Sequence, residues 1–290
     1  MSALGVGPWL RPRALALSGP ILTPGRPGAA PQPGGCYAFM KWIKDRLGII
    51  LIFIGIIVAY VLLTDVFHVL DPFLFYSITT VPPLFREYLP QLLEGLKSSL
   101  SLLVVAYALA LVLGIGVGAF IGSKKLVRKN LTPYINAFSA IPVTLLTPYA
   151  INLFPSFRIA SIFIIFLGCF WIILGSTITA VMTIDRRYLE NAATLEIPAV
   201  QRLFRIVLPA ASPAILTGCT IALKLAFMLL AVAEMFGATS GMGYFIQYYS
   251  DFGRFDLVGV GFIFMAIVLV IILYLFDLIK GRILHWTINN

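Results

Sequence analysis

Tyr188–Pro209 reads YLENAATLEIPAVQRLFRIVLP, one of the longer polar interludes in the apolar part of a 290-residue chain. Arg186, Arg187, Arg202 and Arg205 lie in or beside it. Lys and Arg near membrane ends stay inside, so a loop this basic between two apolar runs is expected to face the cytoplasm. Leu189, Ala192, Ala193 and Leu195 recur at helical spacing, and so do Val200, Leu203, Phe204 and Val207. Ile197-Pro198 separates the two sets, because a residue before proline is pushed out of the α region. The expected structure is two short amphipathic helices with a bend. Such a unit makes a docking element and not a catalytic site; the plain alternative is an ordinary solvated loop.

Composition sets the class independently. Hydrophobic residues make up 60% of the chain and charged ones only 11%, far from a soluble domain. The formal charge of +9 would suggest nucleic acid for a soluble protein. In a membrane protein it reports basic inner loops instead, so no nucleic-acid partner is expected. Cys36, Cys169 and Cys219 form no spaced set, and two of them lie in apolar runs. They read as small side chains and not as a disulfide or a metal site.

Outward from the central stretch, charges and prolines divide the chain. Residues 1–39, rich in Pro, Gly, Ala and Arg, read as a disordered tail without a signal-peptide core. Met40-Lys41-Trp42-Ile43-Lys44 offers an alternative start. Leu47–Thr64 is long enough for a first span, with Lys41, Lys44 and Arg46 placing the N-terminus inside. His68 beyond it reads as an interfacial side chain. Asp71–Lys97, with Pro72, Pro82, Pro83 and Pro90, predicts an external connection. Ser98–Ser123 is a second span whose Gly114, Gly118 and Gly122 recur every four residues, for an internal seam or a subunit contact. Lys124, Lys125, Arg128 and Lys129 mark the inner surface.

Asn130–Phe157 is charge-free but carries Pro133, Pro142, Pro148 and Pro155, so it is either a kinked helix lining a pathway or punctuated helix ends. Ile159–Ile184 returns to the inside. Pro209 and Pro213 suit the first turn of a fifth span near Ala210–Ala233. Thr217, Thr220 and Lys224 fall on one face of it. A charge at bilayer depth costs at least about 2.5–3.5 kcal/mol, so Lys224 should face protein or water. It either touches an anion in a pore or pairs inside the bundle, Glu234 being the candidate. Glu234 itself either gates the pathway or caps packed loops. Tyr248, Tyr249 and Phe252 suit an aromatic belt, and Leu257–Phe276 is a sixth span. Lys280 and Arg282 place the C-terminus inside.

Glu190-Asn191-Ala192-Ala193, with Ile206 and Leu208-Pro209 after it, resembles the EAA loop of ABC-importer permeases. Ala233–Tyr244, AEMFGATSGMGY, is similar to the equivalent run of the nitrate/sulfonate/taurine group, and Ile141-Pro142 with the Thr- and Pro-containing apolar run after it resembles that group's third helix. The resemblance covers about Leu92–Trp286. It implies an all-α integral membrane protein of six transmembrane helices with the type I ABC-importer permease fold, both termini cytoplasmic, in the bacterial inner membrane. Residues 40–91 would then be the first helix and external connection. Residues 92–286 would be the permease domain, with a coupling loop at 185–208. Two departures bear on that loop: Asn191 stands where Ala is usual, and Glu196 where a Gly is expected. Glu enters a left-handed turn less cheaply than Gly, so Pro198 is an alternative source of the break.

By that resemblance Glu190, Asn191, Ala192, Ala193, Glu196, Arg202, Arg205, Leu208 and Pro209 form the ATPase-coupling loop, while Thr217, Thr220, Lys224 and Glu234 line the pathway. No G-x-x-x-x-G-K-(S/T), HExxH or GxSxG sequence occurs, nor a pair of catalytic carboxylates in a soluble region. The chain is therefore expected to be no enzyme and to hold no metal or cofactor, ATP being used by a cytoplasmic ATP-binding subunit. A second permease copy (a homodimer or a paralogue pair) and an extracytoplasmic substrate-binding protein complete the implied partners. The implied solute is a small anion such as a sulfonate or nitrate, with a vitamin or its precursor as the alternative. A self-sufficient secondary transporter would want intramembrane carboxylates, and only Glu234 is available.

Overall fold

The computed structural model describes residues 47–48, 51–52, 54–67, 69, 71 and 73–285. The chain divides into two units, Met1–Val58 and Ala59–Asn290. The tail 1–39 with Cys36, and also His68 and Trp286, lie outside the described residues, as does part of the first expected span. What is described of that span is an apolar helix, α1 (Ile54–Asp65), too short by itself for a hydrocarbon core of about 30 Å.

The second helix begins earlier than the prolines predict. α2 runs over Val81–Ser123, so much of the expected connection Asp71–Lys97 is helical. Pro82 and Pro83 fall in its first turn, where a missing N–H has no intrahelical partner to lose. Pro90 lies inside the helix on an exposed face. Leu84, Phe85, Tyr88, Leu92 and Leu96 recur at three- and four-residue steps and join the core. Phe85 meets Phe264 at 6.0 Å between ring centroids, and Tyr88 meets Tyr249 edge-on at 5.7 Å. Burial of this periodic face outweighs the proline punctuation.

α5 (Phe157–Met182) packs along α2 and along α8 (Leu208–Met235), while α9 (Met242–Asp251) and α10 (Phe255–Ile283) pack against α2 and α8. Ala106 and Ala110 of α2, Cys169 and Ile173 of α5, and Cys219, Ala222 and Ala226 of α8 are fully buried. Cys169 and Cys219 are both free thiols in that core. Gly114, Gly118 and Gly122 continue the row of small residues from Ala106 and Ala110. A Cβ at Gly114 would stand 2.8 Å from Ile173 Cγ2, one at Gly118 2.7 Å from Thr177 Cβ, and one at Gly122 2.9 Å from Val181 Cβ. The row is therefore an internal seam against α5. Gly168 of α5 in turn makes room for Leu229, and Gly218 of α8 for Ser176. Apolar surroundings supply little drive for one helix to leave lipid for another, so such close approach is what holds the helices together.

The expected third span is not one straight helix. α3 (Lys125–Ser139) and the stretch Val143–Leu153, which includes α4 (Thr147–Leu153), meet at 71°. Pro142 precedes the tight turn Val143–Leu146, and Pro148 sits in the first turn of α4. Phe138 of α3 stacks on Trp171 of α5 with centroids 6.3 Å apart. Among the described residues four helical stretches, Ile78–Ser123, Phe157–Met182, Ala199–Met235 and Phe255–Ile283, are long and apolar enough to cross a membrane, or five with the bent pair as one. Val112, Ile221, Val270 and Tyr274 remain exposed along them, a surface made for apolar surroundings.

Gly118→Leu is expected to lower stability in detergent by about 1–3 kcal/mol or more, because Leu174 O at 3.0 Å is backbone and cannot step aside. Gly116→Leu should stay within about 0.5 kcal/mol, since nothing lies within 4 Å of that position. Thermal unfolding of both variants checks the pair; equal losses would put the seam elsewhere.

Candidate functional site

The central stretch folds as a helix, a bend and a second helix. In α6 (Arg186–Thr194), Asp185 Oδ1 accepts from the Arg187 N–H at 3.0 Å at the start, and Thr194 Oγ1 donates to Glu190 O at 2.8 Å near the end. Glu196 then takes a φ of 50°, the one positive φ of a non-glycine residue among those described. The Ile197 N–H reaches back to Ala192 O at 3.2 Å, the six-to-one closure that ends many helices. The bend thus forms where the family pattern puts a Gly, with Glu in its place. Left-handed backbone costs a residue with a Cβ about 1–2 kcal/mol. Pro198 contributes as well: it is extended, at ψ 144°, and opens α7 (Ala199–Arg202).

Glu190 and Asn191 are exposed, Ala192 is buried, and Ala193 follows on α6. Glu196 and Arg205 are exposed and Arg202 half-buried. Beyond α7 no break occurs. A wide π-type turn, Leu203–Val207, leads straight into α8, and Ala199–Met235 is one apolar helix of 37 residues. Half-buried Leu208 and exposed Pro209 therefore sit within a continuous helix and do not start one. Pro209 removes one N–H from the ladder, and the widened turn directly before it accommodates that loss. Pro213 lies further inside α8.

Along α8, Ala214, Thr217, Ile221, Lys224 and Met228 form one exposed stripe at helical spacing, with half-buried Thr220 at its edge. Both threonine hydroxyls donate within the helix, Thr217 to Pro213 O at 2.9 Å and Thr220 to Leu216 O at 3.0 Å. Lys280 Nζ comes within 3.4 Å of Thr217 Oγ1. Lys224 does not pair with Glu234: ten helical residues separate them by about 15 Å along the axis. Beside the stripe, Ser176 and Thr179 of α5, Thr183 directly after it and Thr217 line a groove of about 420 Å³. Ser176 also lines a neighbouring cavity of about 540 Å³, closed on one side by Pro142 and Thr144 at the bend after α3 and on another by Met228. The α5 hydroxyls carried no sequence signal, because Ser and Thr that return their hydroxyl to the helix are common in apolar spans.

Glu234 sits at the other end of α8, with 1% of its surface exposed. Ser99 Oγ of α2 donates to its Oε1 at 2.6 Å, and the Gly243 N–H donates to Oε2 at 2.8 Å. The Met242 N–H donates to Ser99 Oγ at 2.9 Å. A carboxylate and a hydroxyl thus satisfy the first N–H groups of α9 and join three helices. Gly241, at φ 137°, and Gly243 leave room for that carboxylate and for Ala231 O. Of the two options for Glu234, the geometry is that of a cap. Ser99, unmarked in the sequence, is its partner.

Residues 110–287 match the family described as binding-protein-dependent transport system inner membrane component. The chain is 28% identical over 196 residues to a Bacillus subtilis (strain 168) protein named as an aliphatic sulfonates transport permease, SsuC, across 68% of this chain and 71% of that protein. It is 28% identical to the taurine transport system permease protein TauC of Escherichia coli (strain K12), across 67% and 70%. With the nitrate import permease protein NrtB of Synechococcus elongatus it shares 29% over 148 residues, about half of each chain. A chain of the MetNI methionine ABC transporter, solved in inward facing conformations, matches with a TM-score of 0.57 at 20% identity, across 69% of this chain and 97% of its own. That last likeness is one of fold.

Two substitutions probe this geometry. Glu196→Gly should hold or raise the unfolding temperature, while Glu196→Val should fall about 1–2 kcal/mol below the Gly variant, as β-branched residues tolerate positive φ worst. Equal stabilities would contradict the left-handed bend. Ser99→Ala should cost about 1–3 kcal/mol by stranding a buried N–H and a carboxylate oxygen. Ser98→Ala, at an exposed hydroxyl pair with Ser240, should cost under about 0.5 kcal/mol.

Proposed function

The chain belongs to the family of binding-protein-dependent transport system inner membrane components, and from that premise we propose that it moves a small anion, of the sulfonate, taurine or nitrate kind, across the membrane on energy from a separate ATP-binding subunit. It is the permease subunit of an ABC importer, as its relatives are, and not an enzyme. The observation that carries the proposal is the helix–bend–helix at Asp185–Arg202 running without a break into α8. Exposed Glu190 and Asn191, with Ala192, Ala193 and Glu196, would seat in a cleft of the ATP-binding subunit. Arg202 and Arg205 would meet its acidic surface or lipid headgroups, and Leu208 and Pro209 would carry the motion into the membrane.

In this reading six helices cross the inner membrane, with both termini in the cytoplasm, as the basic residues at Lys41–Arg46 and Lys280–Arg282 favour. The type I importer fold would occupy 92–286, behind a first helix within 40–91 and a tail at 1–39. Two copies would face each other to enclose the pathway, and an extracytoplasmic binding protein would deliver the solute. The exposed ammonium of Lys224 suits an anion that sheds part of its water, and the hydroxyl-bearing groove of Ser176, Thr179, Thr183 and Thr217 keeps its surroundings polar. Thr220 would sit at the edge of that pathway, and Glu234 would hold its outer rim through Ser99. No cofactor is proposed on this chain.

Glu190→Arg should reduce co-purification of the ATP-binding subunit by about tenfold or more, a loss of at least about 1.4 kcal/mol, with the permease still inserted and folded. Lys224→Met should raise the half-saturating taurine or nitrate concentration for ATP-driven uptake in proteoliposomes while leaving that association intact. Solute uptake by wild type alone, without ATP and without any associated ATPase, would overturn the importer and favour a secondary transporter.

A further inference from the structure

A cleft of about 600 Å³ lies beside the coupling segment, between the ends of α2 and α5 on one side and α7 with its following wide turn on the other. Four cations line it, Lys124, Lys125, Arg128 and Arg202, and no carboxylate does. The remaining wall is largely apolar, with Phe120, Val181, Leu203 and Val207. Among the described residues the one ion pair is Arg254–Asp256 at the start of α10, so none of the four cations has an ionic partner there. Two of them are braced in place. Arg128 Nη1 donates to Gly122 O at 2.7 Å, and Lys124 Nζ lies 4.5 Å from the centre of the Phe120 ring. Asp185, Glu190 and Glu196, the nearest acids in sequence, stand outside the lining.

Four like charges around one small space repel each other, and an anion between them removes that cost. A purely polar anion would leave the apolar wall in water. An acidic phospholipid satisfies both halves of the site, its phosphate reaching the cations and its acyl chains covering Phe120, Val181 and Leu203. The location agrees, because basic residues at the ends of spans mark a membrane surface, where lipid is the anion at hand. We propose that this cleft binds one acidic phospholipid, whose headgroup joins Arg202 of the coupling segment to Lys125 and Arg128 at the start of α3 and restrains the segment's movement. The proposal rests on the membrane placement above but on neither the ATP-binding subunit nor the solute.

The full chain in a neutral detergent is titrated with dioctanoyl phosphatidylglycerol, dioctanoyl phosphatidylcholine or inorganic phosphate while thermal unfolding is followed. A saturable rise in Tm is expected with phosphatidylglycerol alone, because a ligand that binds only the folded state stabilises it. Lys125→Gln/Arg202→Gln, at positions outside the core, should need about tenfold more phosphatidylglycerol for the same rise. Arg254→Gln, outside the cleft, should keep the wild-type midpoint. If the double variant does not fold, Arg202→Gln alone is held to the same criterion. An equal rise with phosphatidylcholine or with phosphate overturns the proposal, the latter marking a soluble-anion site. So does no rise with any lipid, an unchanged midpoint in the cleft variant, or an equal loss in Arg254→Gln. No ATPase or solute takes part, so failure here leaves the transport reading standing, and a failed co-purification leaves this one standing.

Discussion

The close approach of α2 to α5 is the contact on which the other placements depend. Gly118 sets its limit: with Leu174 O 3.0 Å from where a Cβ would stand, a larger side chain would push the helices apart. α5 held at that spacing meets α8 through Gly168 and Gly218. α8 then returns to α2, where Tyr107 OH donates to Cys219 O at 2.7 Å and Ser99 to Glu234 at 2.6 Å. Three helices close a triangle, and each side of it is made by small residues or by a pair of polar bonds. In an environment without water such bonds have no competitor for their partners, which makes a few of them sufficient to set orientation.

The same economy explains why the functional elements sit at the ends and faces of α8. Its length carries the bend segment at one end and the Glu234 cap at the other, and its exposed stripe lies between. α5 contributes hydroxyls beside that stripe because its opposite face is committed to α2. The bend after α3 supplies a wall to the adjoining cavity, a setting in which irregular backbone is tolerated in a membrane protein.

The helix–bend–helix segment was legible in the sequence because its helical periods and its proline both lie within twenty-odd residues and need no distant partner. Four of the six expected spans, as long apolar helices among the described residues, were legible from hydropathy for the same reason. Asp71–Lys97 was not: four prolines argue locally for a connection, whereas the periodic face that makes 81–97 helical is stabilised by α9 and α10, far along the chain. Glu196 was half legible. Its side chain argues against positive φ, yet the backbone follows the Gly pattern, since the bend is imposed by the helices on both sides of it. Ser99 stayed hidden because one hydroxyl in an apolar run has no pattern until Glu234 and the α9 amides are brought beside it.

The unbroken helix Ala199–Met235 has a mechanical consequence. At 1.5 Å per residue its 37 residues form a rod about 55 Å long. The Ser99–Glu234 cap holds one tip, so a tilt of the rod about that point would move the opposite tip most. A tilt of about 5° about that fulcrum displaces the free tip by about 5 Å, a full helical turn. Points along the stripe move in proportion to their distance from the pin, Thr217 farther than Lys224 and Lys224 farther than Met228. Such a tilt would be geared: a broad sweep at the basic end would become a fine adjustment deep in the bundle, in a ratio set by where along the rod a side chain stands.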